Sequence, residues 1–434
     1  MIAPRRPDPG DLRGEVGFGA VLRENAGVRR LWAGTVVSLF GDWFNTLALY
    51  RVVLDLTGSE TALGGVFLTK LLPLALASPI AGVLADRLDR RHLMIGADLL
   101  RAVIVLGFLF VRDAGDLWLL YALATAQIMV SAAFTPAKNA LLPLITRKGE
   151  LLTANALLSA TWSTMLAVGA AAGGPAVDAF GTDVVFVLDA ATYLVSAVFI
   201  ARIVMPARVA RDAHEDRGGV VRSAARQVAE GWRYVWTRPA IRRITFAKAA
   251  WGVGGGGLVF ALALLGDGLF PSAGTTGIGV LFAARGLGTG LGPIAARAVF
   301  RDARRWPAVL GACVVACGLG YLGVAALADW RWAVVAFVVA AHAASGANWV
   351  LSTTLLQERS RDAFRGRVIA TDWLTITLVE SASILAASAL LEAGVALTTL
   401  IAGLAGVQVA AGLAWLVLVV PAEARSPDAA EAPA

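Results

Sequence analysis

Four charged side chains stand deep inside long apolar runs of this chain: Asp42, Lys70, Arg285 and Glu380. An ionisable group at the centre of a bilayer costs about 2.5–3.5 kcal/mol on insertion scales, so each of the four needs a reason to be there. A low-dielectric surround favours a neutral carboxyl over a carboxylate, which makes Asp42 and Glu380 candidate proton carriers. Lys70 and Arg285 complete the set of candidate functional charges. The competing explanation is structural: buried carboxylates pair with Lys or Arg and fix helix packing.

Depth follows from position. Asp42 lies eleven residues into its run and Glu380 twelve, roughly 16 and 18 Å along a helix rising 1.5 Å per residue. Residues 42 and 70 are equidistant from the turn between their runs, so an antiparallel hairpin brings them level and suits an Asp42–Lys70 ion pair. Asp189 sits near the outer end of its run. Asp372 and Lys248 lie close to the ends of theirs, where snorkelling or gate contacts would account for them.

The elements that position these groups must be membrane helices. Of the 434 residues 58% are hydrophobic and 16% charged, against roughly 25% charged in soluble domains. A soluble fold could not bury so much apolar surface. Twelve continuously apolar runs are long enough to span a bilayer. They are Leu31–Leu54, Thr61–Ala85, Leu93–Val111, Leu117–Leu144, Leu151–Val177 and Val184–Met205, then Ile244–Leu265, Gly277–Ala296, Pro307–Ala328, Ala333–Leu356, Val368–Leu391 and Val395–Val420. β-Barrel strands would alternate over about 10 residues; these runs do not. The first run is too long for a signal-peptide core and has no small-residue cleavage site behind it, so it is read as the first span.

Basic residues set the orientation. The N-terminal tail, the loops after runs 2, 4, 8 and 10, the segment Arg202–Arg243 with its ten arginines, and Arg425 fall on one side; only Arg51, Arg112 and Arg331 fall on the other. Both termini are therefore expected in the cytoplasm of a multi-pass protein of the cell (inner) membrane. The expected organisation is a cytoplasmic tail (1–30), a six-helix half (31–205), a cytoplasmic central loop (206–243), a second six-helix half (244–420) and a disordered tail (421–434). Within the central loop, Ala229–Pro239 mixes aromatics with arginine, as a helix lying among headgroups would. The segments after runs 4 and 10, Leu141–Glu150 and Leu355–Asp362, are weakly similar, which suits two six-helix pseudo-repeats.

Other chemistries are excluded by count and pattern. The net charge of +7 is spread between apolar runs, with no basic stripe interleaved with aromatics, so nucleic acid is not an expected partner. Three histidines (His92, His214, His342) and two cysteines (Cys313, Cys317) in one run form no metal or disulfide pattern, and no cofactor is expected. Gly252–Gly257 lacks the Gly-Lys-Ser/Thr ending of a phosphate loop, and no nucleophile constellation appears, so an enzyme is not expected.

The loop after run 2 reads Gly82-Val-Leu-Ala-Asp-Arg-Leu-Asp-Arg-Arg91. Positive-inside charge explains its arginines but not Gly82 and Asp86 at this spacing. Here the sequence resembles the major facilitator superfamily, whose loop signature is matched by Gly82, Asp86, Arg87, Arg90 and Arg91, with Asp89 where the family usually has Gly. Gly41-Asp42-Trp43, Asp98-Leu-Leu-Arg101, Phe134-Thr-Pro-Ala-Lys138 and Arg365-Gly-Arg-Val368 resemble its branch of siderophore and macrolide exporters. There are departures. The second-half copy of the loop signature, Gly292–Arg297, has Ala296 where Asp would stand. The glycine-rich motif of antiporters keeps Gly173-Gly174-Pro175 but has Asp178 and Ala179 at its last glycine positions.

The resemblance, which spans Arg29 to about Val420, implies a monomeric secondary transporter that exports a small lipophilic molecule (a drug, siderophore or natural product) from between two rocking halves in exchange for protons. It implies that the cytoplasmic gate is Gly82, Asp86, Arg87, Arg90 and Arg91, extended by Asp98 and Arg101. It makes Asp42, Lys70, Arg285 and Glu380 the transport and proton-coupling candidates. A lysolipid or amphiphile flippase, or a permease not coupled to protons, is the alternative reading. A membrane sensor or scaffold without turnover is the alternative of another class.

Overall fold

A computed structural model describes residues 17–147, 149–205, 219–270, 274–300, 302–361 and 364–425. Among the described residues the regular structure is helical, without a strand. The helices are α1 (Phe18–Glu24), α2 (Ala26–Thr57), α3 (Glu60–Arg87), α4 (Arg90–Gly107), α5 (Leu117–Ile145), α6 (Leu151–Ala201), α7 (Val220–Trp236), α8 (Pro239–Leu269), α9 (Thr275–Val299), α10 (Trp306–Ala326), α11 (Arg331–Arg359), α12 (Arg365–Glu392), α13 (Leu397–Ala414) and α14 (Val420–Ala424). In lipid a helix satisfies its own backbone polar groups, so long apolar runs have no better choice.

Local sequence sets the ends. Asn25 accepts from the Val28 amide at 3.0 Å and Ser59 from the Ala62 amide at 3.2 Å, capping α2 and α3. Asp89 accepts from the His92 amide at 3.0 Å, so the residue that stands in place of the usual loop glycine is the N-cap of α4. Pro239 opens α8, where its missing N–H has no helical partner to lose. This start lies five residues before the apolar run at Ile244. The amphipathic helix α7 likewise begins at Val220, earlier than the expected Ala229. The expected disordered tail is helical over its first residues. Glu423 of α14 is buried and pairs with Arg359 at 2.7 Å and with Arg243, tying the chain to α8 and α11. The rest of that tail, from 426, lies outside the described residues.

Among the described residues ten helices are long and apolar enough to cross a membrane, rather than the twelve expected. Two features account for the difference. The 51-residue α6 is one of the ten, yet Gly181 (φ 77°) breaks it into limbs 151–180 and 182–201. At 1.5 Å per residue the two limbs run roughly 45 and 30 Å, and the second matches one bilayer core. The 32-residue α2 is not among the ten; it carries Asp42, Asn45, Arg51 and Asp55 within its apolar sequence.

α2 packs on α6, α3 on α5 and α12, α6 on α9, and α8 on α12 and α13. The α3–α12 and α6–α9 seams join the earlier helices to the later ones. Small residues let backbones approach along them, as in other membrane bundles. Arginine clusters mark one end of the bundle (Arg87, Arg90, Arg91, Arg359, Arg365, Arg367); the α2–α3 and α8–α9 turns mark the far end.

Candidate functional site

All four candidate charges fall in the middle third of their helices: Asp42 on α2, Lys70 on α3, Arg285 on α9 and Glu380 on α12. The structure does not join them as one cluster of ion pairs.

The Asp42 carboxylate accepts a hydrogen bond from the Tyr193 hydroxyl, on the second limb of α6. The Tyr193 oxygen accepts in turn from Gln127 Nε2 of α5 at 3.0 Å. Beneath Tyr193 lies Arg101 of α4, its guanidinium 4.2 Å from the tyrosine ring centroid and 4.9 Å from that of Phe134. Arg101 pairs with Asp98 one turn earlier, and both are buried. Asp98 and Arg101, expected to extend the loop charges, thus touch the network that holds Asp42. Asp189, one turn before Tyr193, is fully buried. It accepts from Thr192 Oγ1 at 3.3 Å, and its Oδ2 has no partner among the described residues. Asn45 beside it on α2 is equally buried.

The Asp42–Lys70 ion pair does not form. Lys70 Nζ donates instead to Thr46 Oγ1 at 2.7 Å, and that hydroxyl donates to the Asp42 carbonyl oxygen at 2.6 Å. Rotation about the helix axis turns Asp42 toward α6 and leaves Thr46, one turn later, facing α3.

On the later helices, Arg285 lies near Phe282 (5.9 Å) and within electrostatic range of Glu380. Neither makes an ion pair or a side-chain hydrogen bond among the described residues, and Arg285 Nε is buried without an acceptor. The Gly252–Gly257 stretch explains how α12 approaches: a Cβ on Gly256 would sit 2.8 Å from the Glu380 Cα. Glycine is required there for α8 and α12 to touch.

A second charged pair was underestimated by its position in the sequence. Lys248 of α8 and Asp372 of α12 form a direct ion pair, each side chain 1% exposed. Lys248 also donates to Thr353 Oγ1 at 3.0 Å and lies 4.6 Å from the Trp349 ring centroid. Trp349 meets Trp373 edge-on at 5.1 Å. Snorkelling does not describe this pair.

Far from the arginine-rich end, aromatic rings close the space between helices. Tyr50 stacks on Phe67 at 4.7 Å and meets Phe282 at 5.9 Å; Phe67 meets Phe260 edge-on at 5.6 Å; Trp43 lies 6.0 Å from Phe282. Four helices, α2, α3, α8 and α9, contribute to this plug. Asp178 fastens the same end. Its carboxylate accepts from the Thr275 and Thr276 amides at 2.9 and 2.8 Å and from Thr276 Oγ1 at 2.6 Å, capping α9 from the end of the first limb of α6. The residue that departs from the antiporter glycine motif is therefore a cross-bundle cap.

Of the expected gate residues, Gly82 faces open space and Arg87 ends α3. Arg91 donates to the Ile200 and Ala201 carbonyls, capping the end of α6. Arg90 is half-buried at the start of α4. The Asp86 side chain lies outside what the structure describes. No cluster of metal-ligating side chains occurs among the described residues.

Sequence and fold comparisons agree with this architecture. The Major Facilitator Superfamily model matches residues 31–382. The chain is 30% identical over 181 residues to the MFS-type transporter YfiS of Bacillus subtilis, covering 42% of this chain and 43% of YfiS. It is 28% identical over 239 residues to the putative bacilysin exporter BacE of Bacillus amyloliquefaciens, covering 54% and 58%. It is 34% identical over 123 residues to macrolide efflux protein A of Streptococcus pyogenes, covering 28% and 30%. The chain thus spans about half the length of YfiS and BacE and less of the macrolide efflux protein. Among solved structures, the POT family transporter PepTSo superposes with a TM-score of 0.70 at 13% identity, over 93% of this chain and 99% of that one. A bacterial homologue of the lysosomal transporter Spinster gives 0.64 at 16%, over 92% and 96%. The matched model spans most of the chain, and the helical bundle superposes on transporters along nearly its whole length: the chain belongs to the major facilitator superfamily, a family of membrane transporters rather than enzymes.

Proposed function

We propose that this transporter has twelve spans, counting α2 and the two limbs of α6, with both termini cytoplasmic, and that it exports a small lipophilic molecule in exchange for protons. The observation that carries the proposal is the Asp42–Tyr193 hydrogen bond at mid-bundle depth, backed by Gln127 and Arg101 and with no cation paired to the carboxylate among the described residues. Hydrogen bonds to an ionised acceptor are roughly twice as strong as neutral ones, so adding a proton to Asp42 weakens its hold on Tyr193. Tyr193 rides on the limb of α6 that packs against α2 and α4, and its release lets these helices shift. The plug at Tyr50, Phe67, Phe260 and Phe282 and the Asp178 cap then form the far, extracellular closure that must open for release. Export as the direction, with a drug, siderophore or natural product as cargo, draws on the partial likeness to a bacilysin exporter and a macrolide efflux protein.

The test is reconstitution of the full chain in vesicles carrying a pH gradient, with candidate compounds added. Compound-driven proton flux through the native protein, lost in Asp42→Asn, supports the proposal. Compound movement that ignores the gradient, in both proteins alike, refutes proton exchange.

A further inference from the structure

A guanidinium at mid-bundle depth without a counter-ion requires explanation. Arg285 lies within electrostatic range of Tyr50 of α2, Tyr321 of α10, His342 of α11 and Glu380 of α12. Tyr321 and His342 are already engaged with each other at 2.8 Å, and both are buried. Among the described residues none of these groups accepts a hydrogen bond from Arg285 or pairs with it, and its Nε is buried with no acceptor. Leaving a buried donor and a charge without a protein partner inside the bundle is expensive. Three other cations within the helices differ. Arg101 has Asp98, and Lys248 has Asp372. Lys70 at least has the Thr46 hydroxyl.

Two further facts point to what is missing. A guanidinium fork matches a carboxylate in a bidentate way, and no carboxylate among the described residues pairs with Arg285. The groups beside Arg285 are aromatic: Phe282 one turn away at 5.9 Å, with Trp43 and Tyr50 packed on that ring. We propose that Arg285 is the receptor for a carboxylate on the cargo, and that Trp43, Tyr50 and Phe282 contact the apolar or aromatic body that carries it. This deepens the transport reading and rests on it for the word cargo. Glu380, within electrostatic range but unpaired, offsets part of the Arg285 charge and leaves its fork open to a cargo carboxylate. The site prefers amphipathic acids and zwitterions over purely cationic lipophiles.

The experiment uses the full chain in detergent with 2-naphthoate, its neutral isostere 2-naphthamide and the cation 2-naphthylmethylamine as probes. Naphthoate is expected to raise the unfolding temperature of the native protein in a dose-dependent way, the amide and amine much less. Arg285→Gln should abolish the naphthoate shift and Arg285→Lys should retain a smaller one. Labelling of Arg285 by phenylglyoxal in the native protein, read by peptide mass, needs no variant. Naphthoate should protect Arg285 and naphthamide should not. Equal responses to naphthoate and naphthamide, absence of a naphthoate response, or an unchanged shift in Arg285→Gln would overturn the assignment. Naphthoate binding without any vesicle transport would remove the transport reading and leave the anion site. Proton-linked transport indifferent to a carboxylate on the compound would do the reverse.

Discussion

The Tyr193 hydroxyl donates to the Asp42 carboxylate, and this one bond links α2 to the far limb of α6, to α5 through Gln127 and to α4 through Arg101. Three helices therefore meet at one carboxylate.

Removing the hydroxyl separates this role from simple packing. Tyr193→Phe should cost about 1.5–3 kcal/mol, the worth of a hydrogen bond to a charged group. It should keep the ring over Arg101. Exchange of labelled for unlabelled compound at equal pH should survive in Tyr193→Phe, while uphill transport driven by a pH gradient should fall toward the level of Asp42→Asn. Uphill transport at native rates would show that the bond is not part of coupling.

The Lys248–Asp372 pair makes a prediction about stability. Breaking a buried ion pair from one side strands a charge and typically costs about 3–5 kcal/mol, whereas replacing both partners by apolar residues is often neutral. Lys248→Met and Asp372→Leu should each lower the unfolding temperature in detergent markedly, and the double variant should recover most of the loss. Additive losses in the double variant would mean that the pair is not acting as a unit.

Asp178 predicts a change in access. Losing a cap typically costs about 0.5–2 kcal/mol, and here the cap spans the far-end seam. Leu71 stands one turn deeper than Phe67 on α3. A cysteine at position 71 should react faster with a membrane-impermeant maleimide from the far side in Asp178→Ala than in the native background. Cys313 and Cys317 are both buried and give little background. Equal labelling rates would remove Asp178 from the closure.

Much of this was legible in the residues themselves. Continuous apolar runs gave the helices, because lipid leaves the backbone no alternative. Asp42, Arg285 and Glu380 announced themselves as charges where charge is costly. What the runs could not carry was rotation about each helix axis. Equal depth suggested Asp42 facing Lys70, and only the packed bundle reveals that Asp42 faces α6 while Thr46 meets Lys70. Helix ends misled in a related way. Because α8 begins at Pro239 and α12 at Arg365, before their apolar runs, Lys248 and Asp372 lie roughly 13 and 10 Å along their helices, deeper than the runs imply. Tyr193 and Gln127 carried no charge to mark them. The available signal was that Tyr193 stands one turn from Asp189, on the same helix face. The Asp178 cap was marked, as a carboxylate where the family motif has glycine.

Proton coupling through Asp42 is the central claim, and one measurement tests it most directly. Full-length native protein and Asp42→Asn would be reconstituted in vesicles with an imposed pH gradient and an entrapped fluorescent pH reporter. Macrolides, siderophores, zwitterionic peptides and aryl carboxylates would be added in turn. At least one compound should collapse the gradient through the native protein and not through Asp42→Asn, while equilibrium exchange of that compound persists in both. Collapse of the gradient at equal rates in the two proteins would contradict the claim.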